Sequence, residues 1–271
     1  MPRIITIANN KGGTGKTTTA VNLASGLAFR KSKRVLLVDF DPQGNASISL
    51  DVDIENLKHS VKDLLSNSLC PVQNLMWKKG DMLRILPANN TLKDIEPELL
   101  ASVDGRLRLR AKLLPIVEDF DYVIIDTPPT TGLFTQAPLI ASGEVLIPVD
   151  VGYFSLQGIR QLLEEIVKVR EHFNPDLQIT GILLTKFDSH TSFSAQVEKT
   201  LRSSFGDLAM KTMIRINIDL VRSQVSRQSI FAFDPESAGA RDYQNLIDEL
   251  VGNVVSFPNE SKRKRRATSG V

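Results

Sequence analysis

Apolar residues along this chain gather into short unbroken runs rather than alternating with polar ones. Runs rich in valine, isoleucine and leucine occur at residues 3–8, 34–39, 83–86, 121–126, 144–149 and 178–184. Between them lie stretches with apolar positions at helical spacing, notably 16–30, 105–118, 156–172 and 193–205. A strand that is apolar on both sides is one covered on both faces, as in the parallel sheets of α/β proteins. The pattern therefore predicts a doubly wound, mostly parallel sheet with helices on both faces, spanning roughly residues 1–256. Residues 51–104 are less regular and predict short helices and an insertion around the 83–86 strand. A last helical pattern near 237–255 puts Leu246, Ile247, Leu250, Val251 and Val254 on one face, which is expected to pack on the domain. No internal repeat is visible.

Composition narrows the class without naming a chemistry. An apolar content of 42% and a charged content of 24% are those of an ordinary globular protein. No apolar run approaches the ~20 residues that span a bilayer, and the N-terminus lacks a signal-peptide core. The expectation is a cytoplasmic protein. A single cysteine, Cys70, cannot form an internal disulfide, and His59, His172 and His190 have no zinc-like spacing. The net charge is +2, but Lys262, Arg263, Lys264, Arg265 and Arg266 crowd into residues 257–271 against Glu260 alone. The body is thus slightly acidic, and any polyanion would have to meet a local patch or this tail, which reads as basic and disordered.

The chemistry starts after the first strand. Lys11-Gly12-Gly13-Thr14-Gly15-Lys16-Thr17-Thr18 lies between the apolar run at 3–8 and the helical pattern that opens at Lys16. Such a loop cradles phosphates with consecutive backbone N–H groups, and the following helix adds its positive end. Lys16 takes the place of the phosphate-binding lysine and Thr17 that of the hydroxyl that ligates Mg²⁺. The usual fingerprint has a further glycine where Asn10 stands, and this loop instead carries a second lysine, Lys11. A plain Gly-rich turn with solvated lysines accounts less well for this strand–loop–helix order.

Ligands of open α/β sheets bind beyond the carboxyl ends of the strands, where acidic residues can reach them. Asp39 and Asp41 close the second strand and Asp126 closes the Tyr122–Ile125 run. Asp126 has the Walker B arrangement for holding Mg²⁺ directly or through water. Asp39 and Asp41 are two apart, so extended backbone would turn both carboxylates to one side. Pro42, Pro128 and Pro129 stiffen the turns that follow, which suits segments that respond to a γ-phosphate.

Three segments together, residues 11–18, Val-Asp-Phe-Asp-Pro-Gln-Gly-Asn at 38–45 and Ile-Ile-Asp-Thr-Pro-Pro at 124–129, resemble the ParA family of deviant Walker A ATPases. The wider group includes MinD and the nitrogenase iron protein. The likeness continues through Ser155-Leu156-Gln157-Gly158, Thr185-Lys186-Phe187-Asp188 and Asp234-Pro235 with Gly239, Ala240 and Tyr243, so it covers essentially residues 1–256. It implies a slow ATPase using Mg²⁺ that forms a homodimer with two ATP molecules sandwiched at its interface. Lys11 would reach the partner's phosphates, and Asp41 would position the attacking water, with Asn45 a lesser candidate beside it. Thr17 would ligate Mg²⁺ directly, Asp39 and Asp126 would organise that shell, and Thr18 would sit near the α-phosphate. Lys186, Ile214 and Arg215 would fall on the nucleotide's far side. The run Ile214-Arg215-Ile216-Asn217-Ile218-Asp219 departs from the family's Ile-Pro-Arg-Asn-Val-Arg at two places, Arg215 and Asp219.

The resemblance also implies non-specific DNA binding, nucleoid association with ATP bound, and a ParB-like or cargo-adaptor protein that stimulates hydrolysis. Between 199 and 227 six cations face only Asp207 and Asp219, and Lys199, Arg202, Arg222 and Arg227 are the candidates for phosphate contact. A MinD-like membrane role would need bulky apolar residues at the extreme C-terminus, where only Ala267 and Val271 follow Phe257. An iron-protein reductase would need more cysteines. A metabolic P-loop ligase is the remaining alternative, without a visible substrate-binding constellation.

Overall fold

The computed structural model describes residues 2–66, 70–152 and 155–252, the last segment with side chains from Ile159 onward. The basic run at 257–271 and the side chains of residues 155–158 lie outside the described residues. The strands are β1 (Arg3–Ile7), β2 (Val35–Asp39), β3 (Trp77–Lys79), β4 (Leu83–Leu86), β5 (Tyr122–Asp126), β6 (Glu144–Asp150), β7 (Gln178–Phe187) and β8 (Ala209–Arg215). They form one sheet in the order β3-β4-β2-β5-β1-β6-β7-β8. Neighbouring strands run parallel from β4 to β8, and only β3 pairs antiparallel, on β4. Helices α1 (Lys16–Arg30), α2 (Asn45–Ile48), α3 (Val61–Leu65), α4 (Glu96–Ala101), α5 (Arg108–Leu113) and α6 (Leu133–Ala141) lie among the first six strands. They are followed by α7 (Ser155–His172), α8 (Ser192–Phe205), α9 (Ile218–Val225), α10 (Ile230–Phe233) and α11 (Ala238–Gly252).

The continuous apolar runs are explained by what covers them. Along β2, Val35 and Leu37 join a core with α1 and α11, while Leu36 and Val38 join one with α3, α5 and α6. β7 divides likewise, Leu183 to the α1 side and Ile182 and Leu184 to a core with α7 and α8. Successive side chains point to opposite faces, so each of these inner strands feeds two cores and neither face tolerates a polar stripe.

β1 lies between β5 and β6, so the chain leaves β1 toward one edge of the sheet and returns after β5 to build the other. The carboxyl end of β1 is therefore a switch point, with a crevice beyond it. The expected helix over 105–118 is broken up: a 3₁₀ turn at Gly105–Leu107, α5, and another turn at Val117–Asp119. Leu114 is still helical, φ −50° and ψ −42°, and α5 stops there because Pro115 supplies no backbone N–H to continue the ladder. The 51–104 region holds short helices and the β3–β4 hairpin, as its irregular pattern suggested.

Helix α1 carries the loop, and its seat is tight. A Cβ at Gly26 would overlap Ile247 on α11 and lie 2.6 Å from the Phe231 ring. Gly26→Ala is expected to cost about 1–3 kcal/mol through overpacking, read as a melting temperature several degrees lower.

Candidate nucleotide site

The loop after β1 turns where only glycine turns easily. Gly13 and Gly15 have φ of 76° and 83°, and Gly15 caps α1. No side chain caps the start of α1 and no acid occupies its first turn. The first amides of the helix are therefore left to an anion, which the helix dipole favours. The loop is held from behind, where the Thr185 hydroxyl donates to the Thr14 carbonyl at 2.9 Å and to the Val149 carbonyl at 3.1 Å. Lys16 is buried and its Nζ donates to the Lys11 carbonyl at 3.1 Å, closing the loop on itself. Burial lowers its pKa, against the pull of Asp126 and Asp41. The buried amide of Asn10, which replaces the expected glycine, has no hydrogen-bond partner.

Below the loop two carboxylates lie side by side. Asp39 and Asp126 are register partners at the ends of β2 and β5, and both are wholly buried. Asp39 accepts from the Ser47 amide at 2.8 Å and hydroxyl at 2.7 Å, and from the Asp41 amide at 3.2 Å. Burial still pushes its pKa up to about 7. Burial and the adjacent Asp39 charge raise Asp126 well above the ordinary range. One oxygen of Asp126 accepts from the Thr17 hydroxyl at 2.8 Å, and the other is buried with no partner.

That orphaned oxygen beside a hydroxyl, among desolvated carboxylates, suits a hard cation with oxygen ligands such as Mg²⁺. Among the described residues no three acids, histidines or cysteines converge on a point. Waters and phosphate oxygens would supply the rest of the shell, as Mg²⁺ prefers. The oxygens of Asp39 are occupied by Ser47 and Asp41, so it holds the turn before α2. Asp41 itself is buried and accepts from the Gln43 amide at 2.9 Å.

Lys11 points elsewhere. Its Nζ lies 2.9 and 3.0 Å from the two oxygens of Asp150, at the end of β6 in the same chain, and its side chain is about a third exposed. The two lysines of one loop thus face different anions. Asp150 was missed in the sequence because the apolar run was closed at 149. The rule that selects Asp39 and Asp126, an aspartate ending a strand, selects Asp150 as well.

The outer residues divide. Thr18 accepts a 2.9 Å bond from Gln224 of α9. Lys186 is exposed in a left-handed conformation, φ 52°, with its Nζ 3.8 Å from where a Cβ on Gly13 would stand, at the mouth of the loop. Ile214 is core. Arg215 is bound through its side chain and amide to Asp242 of α11, at 2.6–3.1 Å, and lines a groove with Phe187 and Asn245 rather than the loop. The four proposed DNA contacts do not form one patch. Lys199 and Arg202 are on α8, on the face of the α7–α8 core, whereas Arg222 is on α9 and Arg227 just after it, on the α1 face. Arg202 pairs with Glu198, Arg222 with Asp219 and Arg227 with Asp51. Cys70 has its sulfur 3.8 Å from His59 Nε2.

A family model described as an AAA domain matches residues 2–179. The sporulation initiation inhibitor protein Soj of Bacillus subtilis is 39% identical over 93% of this chain and all of its own length. A chromosome partitioning protein ParA of Myxococcus xanthus is 39% identical over 92% of this chain and 88% of its own. This chain belongs to the ParA family of P-loop ATPases. A structure of a cobyrinic acid a,c-diamide synthase from Mycobacterium smegmatis, with bound ADP and magnesium, is 32% identical with a TM-score of 0.78, covering 93% of this chain and 94% of that one. ParA-family membership carries the doubly wound fold and gives the loop, Asp39, Asp41 and Asp126 a common setting.

The raised pKa values have a consequence for stability without ligand. A carboxyl whose folded pKa lies above its unfolded one destabilises the fold increasingly as pH rises past about 4. Asp126→Asn is therefore expected to raise the melting temperature of the ligand-free chain by roughly 2–4 °C at pH 8, equivalent to about 1 kcal/mol. The gain should shrink toward pH 5, and magnesium with ATP should stabilise the variant less than the parent. A gain independent of pH would rule out this account.

Proposed function

We propose that this chain is an ATPase that dimerises around two Mg²⁺-bound ATP molecules, binds DNA non-specifically in that state, and positions a cargo. The observation that carries the reading is the division of labour within one loop. Lys16 closes on its own loop while Lys11 stands outside it, on Asp150. A lysine that does not serve its own phosphates is available to a neighbour's. Positive charge supplied in trans stabilises the charge that builds on a transferring phosphoryl group.

The roles follow from the site. The amides from Gly12 to Lys16 cradle the phosphates and Lys16 neutralises them. Thr17 and Asp126 would hold a Mg²⁺ ion, which when bound would offset charge on the phosphate oxygens. Asp41 orients the attacking water, on a turn fixed by the bonds from Asp39 to Ser47 and to the Asp41 amide. Lys11 exchanges Asp150 for the partner's phosphates. A partly exposed ion pair is worth about 1 kcal/mol or less, so a phosphate, with its higher charge, can displace it. Lys199, Arg202, Arg222 and Arg227 then contact DNA phosphates from both sides of the β8 edge, a mode that weakens steeply with salt.

Cargo release through an adaptor that stimulates hydrolysis, ParB-like or otherwise, completes the cycle, and the likeness to chromosome partitioning proteins of Myxococcus xanthus and Caulobacter vibrioides supports a chromosome as the first cargo to test. Among the described residues no helix is long and apolar enough to cross a membrane. The name of the Mycobacterium smegmatis neighbour raises a metabolic reading, which DNA binding separates from this one.

Retention on DNA is measured with ATP, ADP or no nucleotide across a salt series. Retention with ATP alone, lost as salt rises, is expected; retention indifferent to nucleotide, or none, overturns the reading. Lys11→Ala should bind ATP yet give no dimer by light scattering and no retention. Asp41→Ala should dimerise and stay on DNA while turnover falls about 10²-fold or more, the scale of a lost general-base contact.

A further inference from the structure

Away from the nucleotide, a cavity of about 530 Å³ opens between the last turns of α1, the β3–β4 turn and the segment entering α10. Its walls are aromatic and cationic: Phe29 and Arg30 of α1, Lys79 at the end of β3, and Phe231 of α10, with Leu50 beneath. Arg30 stands over the Phe231 ring at 5.5 Å. No acidic residue lines the cavity, and among the described residues neither Arg30 nor Lys79 has a carboxylate partner. At its edge is Ser25, wholly buried, whose hydroxyl has no hydrogen-bond partner. An orphaned buried hydroxyl is costly, but with no exposed surface it lies behind the cavity wall and not on it.

We propose that this cavity is a second binding site, for a small organic anion with an aromatic or apolar body and a carboxylate, phosphate or sulfonate group. The two rings take the body by stacking or edge contact. Arg30 and Lys79 take the charge, Arg30 in the geometry suited to a planar or tetrahedral oxyanion. Pockets that hold small molecules have this composition, mostly apolar walls with a few placed polar groups. A second cavity of about 510 Å³ near Met76 and Phe120 is built otherwise, since Asp81 and Asp119 offset its cations.

The site is separate from the nucleotide's but mechanically joined to it. Thr18 and Arg30 are twelve residues apart on α1, roughly 18 Å at 1.5 Å per residue. The joint is Asn22: its side chain accepts from the Ile230 amide of α10 at 2.8 Å and donates to the Thr18 carbonyl at 2.9 Å. A ligand wedged between α1 and α10 would therefore load the first turn of the P-loop helix.

The test uses the full chain and 1-anilinonaphthalene-8-sulfonate, an aromatic anion whose fluorescence reports apolar binding. One saturable site per chain is expected, still available in saturating ATP and Mg²⁺, with an affinity that the nucleotide shifts through α1 but does not abolish. Arg30→Gln with Lys79→Gln, both at the surface, should weaken it at least tenfold while leaving the melting temperature in place. Lys78→Gln, at the other cavity, should not weaken it. A soaked crystal should show the probe between Phe29 and Phe231. No saturable binding, competition by ATP, or full affinity in the Arg30/Lys79 variant would overturn the proposal.

Discussion

Two carboxylates pressed together at the ends of β2 and β5 set the terms for everything around them. Asp39 and Asp126 are register partners with no exposure to water, and like charges in so dry a place cannot both ionise cheaply. Each must be supplied with donors or a cation. Asp39 takes three hydrogen bonds, and two of them come from Ser47, which must fold back from α2. That return needs a sharp turn, made at Gly44 with φ 66°, where a Cβ would lie 2.6 Å from the Ala88 carbonyl oxygen. The demand of one buried aspartate thus shapes the whole segment that carries Asp41. Asp126 is treated differently: Thr17 satisfies one oxygen and the other is left without a partner.

The unequal treatment divides the roles. A saturated carboxylate fixes protein, and an unsaturated one awaits a ligand. Because the two are register neighbours whose charges interact, a cation placed near Asp126 also relieves the field at Asp39, and with it the turn that holds Asp41. Lys16 contributes to the same field from above, at the cost of its own burial. Nucleotide, metal and the Asp41 turn are in this way parts of one electrostatic balance, without any need for a large conformational change to connect them.

Most of this was legible in the sequence, for a physical reason. Phosphate binding uses consecutive amides, so residues 11–18 are contiguous, and a strand buried on both faces announces itself and the aspartate that ends it. What was hidden is what arises only when the sheet closes. Asp150 meets Lys11 across 139 positions and Gln224 meets Thr18 across 206. Arg215 illustrates the opposite failure. Its place in the family pattern suggested nucleotide, but Asp242 on α11 claims its guanidinium, and no spacing rule could have paired residues from the last strand and last helix. The basic residues between 199 and 227 are near in sequence yet divide across the sheet, because β8 lies between the helices that carry them.

The Lys11–Asp150 pair bears on how a two-chain assembly can depend on the state of its nucleotide. In the proposed cycle Lys11 leaves one anion for another, so only the difference between them counts. Asp150 offers a single negative charge in a fixed, half-buried position. A diphosphate offers somewhat more, but it ends short of the terminal phosphate that a partner's lysine would meet. A triphosphate offers the larger charge at the greater reach. A modest intramolecular ion pair, strong enough to hold Lys11 when no γ-phosphate is present and weak enough to yield when one is, would make association conditional on ATP without a dedicated switch. In that cycle hydrolysis would remove the competing anion, Asp150 would reclaim the lysine, and the same loop that bound the nucleotide would release the neighbour.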